Sequence, residues 1–171
     1  KILAGGTDFM VEVNFRHRDP TAVIAIDRVP ELRQWRHDGD SVLIGSCVTY
    51  REIERGPLST LVPALAQSAR TIGSPQIRNA GTIGGNLGTA SPAGDMIPVL
   101  LALNATVTIR SISGSRTVSI DNLITGVKKT SLAENEFIES VKVPILRGSQ
   151  EFLKVGPRNA MVISIASLAM V

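Results

Sequence analysis

The sequence contains few of the residues on which several large protein classes depend. A single cysteine, Cys47, excludes an internal disulfide framework and leaves no set of thiolates for an iron–sulfur cluster, which takes about four. The two histidines, His17 and His37, lie in arginine-rich segments without the spacing of metal ligands. No apolar run approaches the roughly 18 residues that indicate a membrane span. Together these absences predict a cytoplasmic protein with a buried, structural Cys47 and no metal of its own.

Aromatic residues and clustered positive charge are also scarce. Aromatics make up 4% of the chain, and the net charge of +3 comes from scattered residues. A surface that binds nucleic acid normally has a basic face, often with stacking aromatics. We therefore expect the charged segments to be solvated surface and no nucleic-acid partner.

The length and the two ends indicate how the chain is organised. Its 171 residues suffice for one domain with a core or for two small lobes that share a cleft. The chain begins in the apolar stretch KILA, without an initiator methionine, and ends in the apolar stretch ISIASLAMV. Both ends resemble cuts through folded elements, which predicts that this sequence is part of a longer polypeptide.

The first 26 residues alternate apolar runs with glycine. KILAGG and TAVIAI are typical of short buried strands, and the segment between them predicts a helix. In that helix Thr7 would be the N-cap and Asp8 would lie at the positive end of the dipole. The order strand, helix, strand predicts a small parallel unit. Gly5-Gly6 indicates either a tight turn or a ligand close to the backbone.

The rest of the chain predicts helices and antiparallel strands, so the expected fold class is α+β. Thr49 and Glu52 have the spacing of a capping box, and Pro63 and Gly73 are typical of the first turn and the end of a helix. Ser113-Gly114 predicts the turn of a hairpin. The predicted elements are a strand over 40–48, helices over 50–55, 62–74 and 95–104, a hairpin over 105–120 and a strand over 136–145.

The glycine-rich centre is the most informative segment. Gly81, Gly84, Gly85, Gly88 and Gly94 fall within fourteen positions, among small polar residues. Glycine N–H groups approach a ligand closely, so this composition favours a nest for an extended, anionic cofactor. A set of tight loops is the structural alternative. The motifs G-x-G-x-x-G, Gly-Lys-Ser/Thr and G-x-S-x-G are absent, so any phosphate site has another design.

Four segments together resemble the FAD-binding flavoprotein module of the xanthine dehydrogenase and carbon monoxide dehydrogenase family. The similarity covers essentially the whole chain, and A-G-G-T-D followed by T-I-G-G-N-x-x-x-A-S-P-x-x-D is specific to that family. The segments are LAGGTDFMVEV, IGSCVTYREIE, TIGSPQIRNAGTIGGNLGTASPAGDMIPVLLAL and FIESVKVP.

This resemblance implies a two-lobed FAD-binding domain with FAD in the cleft between the lobes. Residues 1–45 would form the small parallel βαβ lobe, without the family's first strand–helix region. Residues 46–171 would form the antiparallel sheet lobe with helices, cut before the small C-terminal domain.

The resemblance also implies which residues meet the cofactor. Asn86 suits a ribityl or phosphate contact, and Asp95 suits cofactor hydroxyls or, alternatively, a helix N-cap. Ile138 lies near the cofactor in the family, although alone it is typical of core. Lys154 and Arg158 match a basic region near the flavin, where an isolated lysine is as often surface, and at Gly88 relatives often carry a bulkier residue. The pyrophosphate would lie on Leu3, Ala4, Gly5, Gly6, Thr7 and Asp8, and the second wall would be Thr82, Ile83, Gly84, Gly85 and Asn86.

The resemblance finally implies an oxidoreductase, an electron-transfer subunit of a molybdenum hydroxylase. Neither a carboxylate dyad nor a nucleophile–base pair stands out, which fits chemistry carried by FAD. Electrons would come from [2Fe–2S] centres and pass to NAD+, oxygen or another acceptor. The [2Fe–2S] and molybdopterin would reside on partner subunits or on missing parts of the polypeptide. One alternative is a module of the same fold that binds FAD without redox turnover, and a weaker one is an FAD oxidoreductase that acts alone.

Overall fold

A parallel strand pair with a helix between its strands opens the fold. The computed structural model describes residues 1–17 and 19–171. Strand β1 (Ile2–Leu3) pairs in parallel with β2 (Ile24–Ala25), and helix α1 (Thr7–Asn14) connects them. The predicted parallel unit is therefore confirmed.

The corner between β1 and α1 differs from the prediction in one respect. Gly6, and not Thr7, is the N-cap of α1, and no side chain caps it. The chain turns there with a φ of 72° at Gly6, a left-handed conformation that glycine adopts without steric strain. Thr7 is already helical, so the N-cap prediction was wrong, whereas Asp8 lies in the first turn as expected.

A five-stranded antiparallel sheet forms the larger part of the β-structure. The remaining strands are β3 (Trp35–Asp38), β4 (Ser41–Gly45), β5 (Thr106–Ser111), β6 (Gly114–Ser119), β7 (Ile124–Gly126), β8 (Lys129–Thr130), β9 (Phe137–Pro144), β10 (Glu151–Val155) and β11 (Ala166–Met170). The sheet has the order β3-β4-β9-β5-β6, and the predicted hairpin at Ser113-Gly114 is its β5–β6 pair. Strand β4 ends at Gly45, before the predicted end, because Val48 N–H donates to Gly45 O in a turn.

Short helices cover this sheet. They are α2 (Tyr50–Arg55), α3 (Leu58–Leu61), α4 (Pro63–Thr71), α5 (Pro75–Ala80), α6 (Ile83–Thr89), α7 (Met96–Ala102) and α8 (Ile120–Leu123). The predicted capping box precedes α2: Glu52 N–H donates to the Thr49 hydroxyl at 3.3 Å, and Thr49 N–H donates to the Glu52 carboxylate at 2.8 Å. Helix α4 begins at Pro63 as predicted, and Gly73 follows its end with a φ of 49°.

The hydrophobic core lies between the sheet and the helices. Leu65 of α4, Leu87 of α6, Leu100 of α7 and Val141 of β9 are fully buried. Cys47 is buried as predicted. The antiparallel pair β10–β11 packs on α4 and α7. The fold is thus a mixture of helix and sheet, as predicted. The predicted boundary between the two lobes, after residue 45, would separate β4 from β9, with which β4 pairs. This boundary stays a prediction.

Candidate functional site

A cleft of about 690 Å³ connects the two glycine motifs. This volume lies within the range of about 300–1,000 Å³ that is usual for small-molecule sites. Its walls come from the β1–α1 corner, from the region around α6 and from residues 128–138. The cleft therefore brings together most of the predicted site residues, namely Leu3, Ala4, Gly5, Gly6, Thr7, Asp8, Thr82, Gly84, Gly85 and Ile138.

The first motif offers free backbone N–H groups to the cleft. Among the described residues, no acceptor takes the N–H groups of Gly5, Gly6, Thr7 or Asp8. Helix α1 begins here, and the first N–H groups of a helix have no partner within it. They carry the positive end of the helix dipole, so this corner attracts an anion, especially a phosphate.

The second motif uses its N–H groups within the protein. Ile83 N–H donates to Val48 O at 3.1 Å, and Gly84 N–H donates to Ser46 O at 2.9 Å. Gly85 N–H donates to the hydroxyl of Thr82, which is the N-cap of α6, at 3.0 Å. The sequence interpretation as a nest of free amides is therefore wrong for α6, where the glycines serve helix capping and close packing.

Close packing explains several of these glycines. A Cβ atom placed on Gly5 would overlap the carbonyl group of Ala80, which ends α5. A Cβ atom on Gly84 would lie 2.5 Å from Ser46 Cβ. The Thr89 hydroxyl also donates to Asp8 Oδ2 at 3.3 Å. The β1–α1 corner thus lies directly against the chain around α6, because glycine lets the two backbones approach.

Gly88 differs from these glycines because nothing lies within 4 Å of a Cβ atom placed there. It is exposed, lies inside α6 and lines the cleft. We predict that Gly88→Ala raises the free energy of unfolding by about 0.5–1 kcal/mol, because glycine weakens a helix interior relative to alanine. Urea unfolding of the flavin-free variant measures this change. A free energy of unfolding below that of the wild type would contradict the open space around Gly88.

Tyr50 is a cleft residue that the sequence analysis missed. It is only 4% exposed, and its hydroxyl accepts a hydrogen bond of 3.2 Å from Asn86 Nδ2. Asn86 itself does not line the cleft, and its Oδ1 is buried without a hydrogen-bond partner among the described residues. The capping box placed Tyr50 at the start of α2, but no sequence pattern linked it to Asn86.

Asp95 and Lys154 lie outside the cleft lining and bind each other. Lys154 Nζ is 2.5 Å from Asp95 Oδ2, which also accepts from the Thr71 hydroxyl at 3.1 Å. Both side chains are buried. Asp95 precedes α7 at the N-cap position, but its side chain makes no capping hydrogen bond. Asp95 Oδ1 remains a buried acceptor without a partner among the described residues.

The remaining predicted residues lie in the core, at the cleft wall or at a second cavity. Ile83 is fully buried in the core, and Ile138 is buried at the cleft wall. Exposed Arg158 donates from Nε to Met161 O at 3.1 Å and, with Lys154, lines a second cavity of about 740 Å³. A Cβ atom placed on Gly94 would lie 3.3 Å from Asn86 Oδ1. The side chain of Asn86 therefore lies close to the residue that precedes Asp95.

Charged residues border the cleft. Arg116 binds both carboxylate oxygens of Glu136 and, with the N–H of Ala133, holds the pKa of Glu136 at about 2. These contacts order the segment between β8 and β9, which lines the cleft. In the same segment, Lys128 Nζ lies 3.8 Å from Glu12 Oε1 of α1.

Three further observations concern metal ligands, membrane spans and Cys47. In the described part of the chain, no group of three or more His, Cys, Asp or Glu side chains could hold a metal ion. Nor is any helix of residues 1–17 and 19–171 long and apolar enough to span a membrane. Burial raises the pKa of the Cys47 thiol, whose Sγ lies 3.5 Å from Ile26 O.

Comparison with known proteins places this cleft in context. Residues 1–146 match the family described as the FAD binding domain in molybdopterin dehydrogenase. Over 170 residues the chain is 36% identical to the nicotinate dehydrogenase FAD-subunit of Eubacterium barkeri, covering 96% of this chain and 57% of that protein. Over 145 residues it is 35% identical to the carbon monoxide dehydrogenase medium chain of Hydrogenophaga pseudoflava, covering 84% of this chain and 50% of that protein.

A solved structure has the same fold. A carbon monoxide dehydrogenase from Hydrogenophaga pseudoflava, which lacks the Mo-pyranopterin moiety of the molybdenum cofactor, matches with a TM-score of 0.94 and 32% identity. The match covers 99% of this chain and 60% of that one. The chain therefore spans between 50% and 60% of the length of these proteins.

Proposed function

Because this chain belongs to the family of FAD-binding domains in molybdopterin dehydrogenases, we propose that its cleft holds FAD. The protein would then be the flavoprotein part of an oxidoreductase complex of the xanthine dehydrogenase and carbon monoxide dehydrogenase family. FAD would lie between the parallel β1–α1–β2 unit and the part of the chain that contains α6 and β9, as the two-lobed architecture implies.

The observation that carries this proposal is the row of free N–H groups from Gly5 to Asp8. These groups lie at the N-terminus of α1 and line the cleft. The diphosphate of FAD is a dianion that matches such an array of donors. Lys128 lines the same cleft, where its ammonium group lies beside the carboxylate of Glu12.

Two buried acceptors outside the cleft lining are further candidates for contact with the cofactor. Asn86 Oδ1 and Asp95 Oδ1 both lack hydrogen-bond donors among the described residues. A buried polar atom without a partner is unusual in a folded protein. Neither residue lines the cleft, so a contact of either with the ribityl hydroxyl groups of FAD stays a prediction of the family resemblance. Lys154 and Thr71, which both bind Asp95 Oδ2, would hold that carboxylate in place.

FAD, when bound, supplies the capacity to store two electrons and to exchange them singly. The chain's own residues bind and orient the cofactor. As the family resemblance implies, the [2Fe–2S] centres and the molybdopterin would belong to partner subunits or to other parts of the polypeptide. The relatives' names refer to substrates as different as nicotinate and carbon monoxide. We therefore assign the choice of reducing substrate to the molybdenum-containing partner, and the acceptor to NAD+, oxygen or another oxidant.

Purification of the full-length protein with its partners tests this proposal. We expect stoichiometric FAD, visible as flavin absorption, and bleaching of that absorption when the complex turns over its reducing substrate. A complex that lacks flavin would contradict FAD binding. Retained flavin that the reduced complex fails to bleach would instead favour a binding module without redox turnover.

A further inference from the structure

Tyr50 occupies a central place between the capping box and the glycine-rich centre. Its N–H donates to Gly81 O at 3.0 Å, and its ring packs on Gly81, where a Cβ atom would lie 2.5 Å from Tyr50 Cε2. The same Ala80–Gly81 turn also contacts Gly5. Tyr50 and the corner that offers free N–H groups therefore contact the same turn, and Tyr50 is buried at the cleft wall.

The hydroxyl of Tyr50 retains an unused proton. It accepts from Asn86 Nδ2 at 3.2 Å, and no described residue accepts the hydroxyl's own hydrogen. Asn86 Oδ1 likewise lacks a donor. The pair thus leaves one donor and one acceptor unsatisfied inside the protein. Such groups are rare unless a ligand completes them.

The surroundings keep this hydroxyl protonated. Burial raises the pKa of Tyr50, and the negative charges of Asp8 and Asp95 act in the same direction, against the hydrogen bond from Asn86. A tyrosine in this state is a neutral hydrogen-bond donor. Phenylalanine would fill the same space, so packing alone does not account for the hydroxyl.

We infer that Tyr50 is a further cofactor-binding residue whose hydroxyl donates a hydrogen bond to an oxygen of the dinucleotide in the cleft. The inference rests on the proposed binding of FAD. Tyr50 lines the same cleft as the Gly5 corner and contacts the same Ala80–Gly81 turn, which favours a diphosphate oxygen as the acceptor. The same hydroxyl holds Asn86 so that Oδ1 stays available to a donor.

Substitution Tyr50→Phe in the full-length protein, purified with its partners, tests the inference. We expect the Kd for FAD to rise about tenfold or more, as expected for loss of a hydrogen bond to a charged group. Ser68→Ala is the matched control, because the Ser68 hydroxyl is also buried, donates to Leu65 O at 2.9 Å and lies outside the cleft lining. ADP, which has the diphosphate but no flavin, should show a similar loss in Tyr50→Phe.

The outcomes separate this inference from the proposed function. Wild-type protein that binds no FAD would contradict FAD binding itself. Wild-type protein that binds FAD, with an unchanged Kd in Tyr50→Phe, would overturn only the role of Tyr50. Asn86→Ala provides a second test: Tyr50→Phe should still weaken FAD binding in that background, whereas a purely indirect role through Asn86 would remove the effect.

Discussion

Gly5→Ala is expected to abolish retention of FAD and to destabilise the protein. The new methyl group would overlap the carbonyl of Ala80, which is backbone and cannot rotate away. Relief requires the β1–α1 corner and the Ala80–Gly81 turn to separate, at a cost of about 1–3 kcal/mol or more. The displaced N–H groups would lose charge-assisted hydrogen bonds to the diphosphate, so the Kd for FAD should rise by about 100-fold or more.

Flavin content after purification and titration of the flavin-free protein with FAD measure this effect. Gly126→Ala is the matched control, since it makes the same change in β7, where the nearest atoms to a Cβ lie 3.9 Å away. Gly126 does not line the cleft. The control should retain FAD. Normal FAD affinity in Gly5→Ala would show that the corner does not bind the cofactor as proposed.

Lys154→Met should lower the free energy of unfolding by about 3–5 kcal/mol, the range found when one partner of a buried ion pair is removed. Lys154 and Asp95 are both buried, and their charges lie 2.5 Å apart. Without Lys154 the Asp95 carboxylate would keep, among the described contacts, only that with the Thr71 hydroxyl, whose one hydrogen is shared with Ser68 O at 2.8 Å. Urea unfolding of the flavin-free variant, compared with the wild type, gives the difference.

Lys142→Met provides the contrast on the surface. Lys142 lies 2.9 Å from Asp38, but both side chains are substantially exposed. Exposed pairs contribute about 0–1 kcal/mol, because water and salt screen them. The double variant Asp95→Leu with Lys154→Met should recover part of the lost stability, since it leaves no unpaired buried charge. Equal losses of unfolding free energy in Lys154→Met and Lys142→Met would contradict the description of Lys154 and Asp95 as a buried ion pair.

The capping box of α2 and the β5–β6 hairpin were predictable because their determinants are close in sequence. Thr49 and Glu52 lie three residues apart, and their capping box forms as the sequence predicted. Ser113-Gly114 lies in the turn of the β5–β6 hairpin, also as the sequence predicted. Helix α6 was not predicted, because its three glycines lower its helix propensity, and α5, which has no glycine, is only six residues long. Each is capped by a single side chain, Ser74 or Thr82, and is held by packing.

The sequence alone determined the family resemblance, the two glycine motifs and the mixed helix and sheet composition, since all of these depend on residue type and local spacing. Only the tertiary structure decided which glycines permit close backbone contact and which, like Gly88, face open space. It also paired Tyr50 with Asn86 and Asp95 with Lys154, residues that are 36 and 59 positions apart. Such pairs form because packed helices and strands bring distant residues together, and no local pattern in the sequence records them.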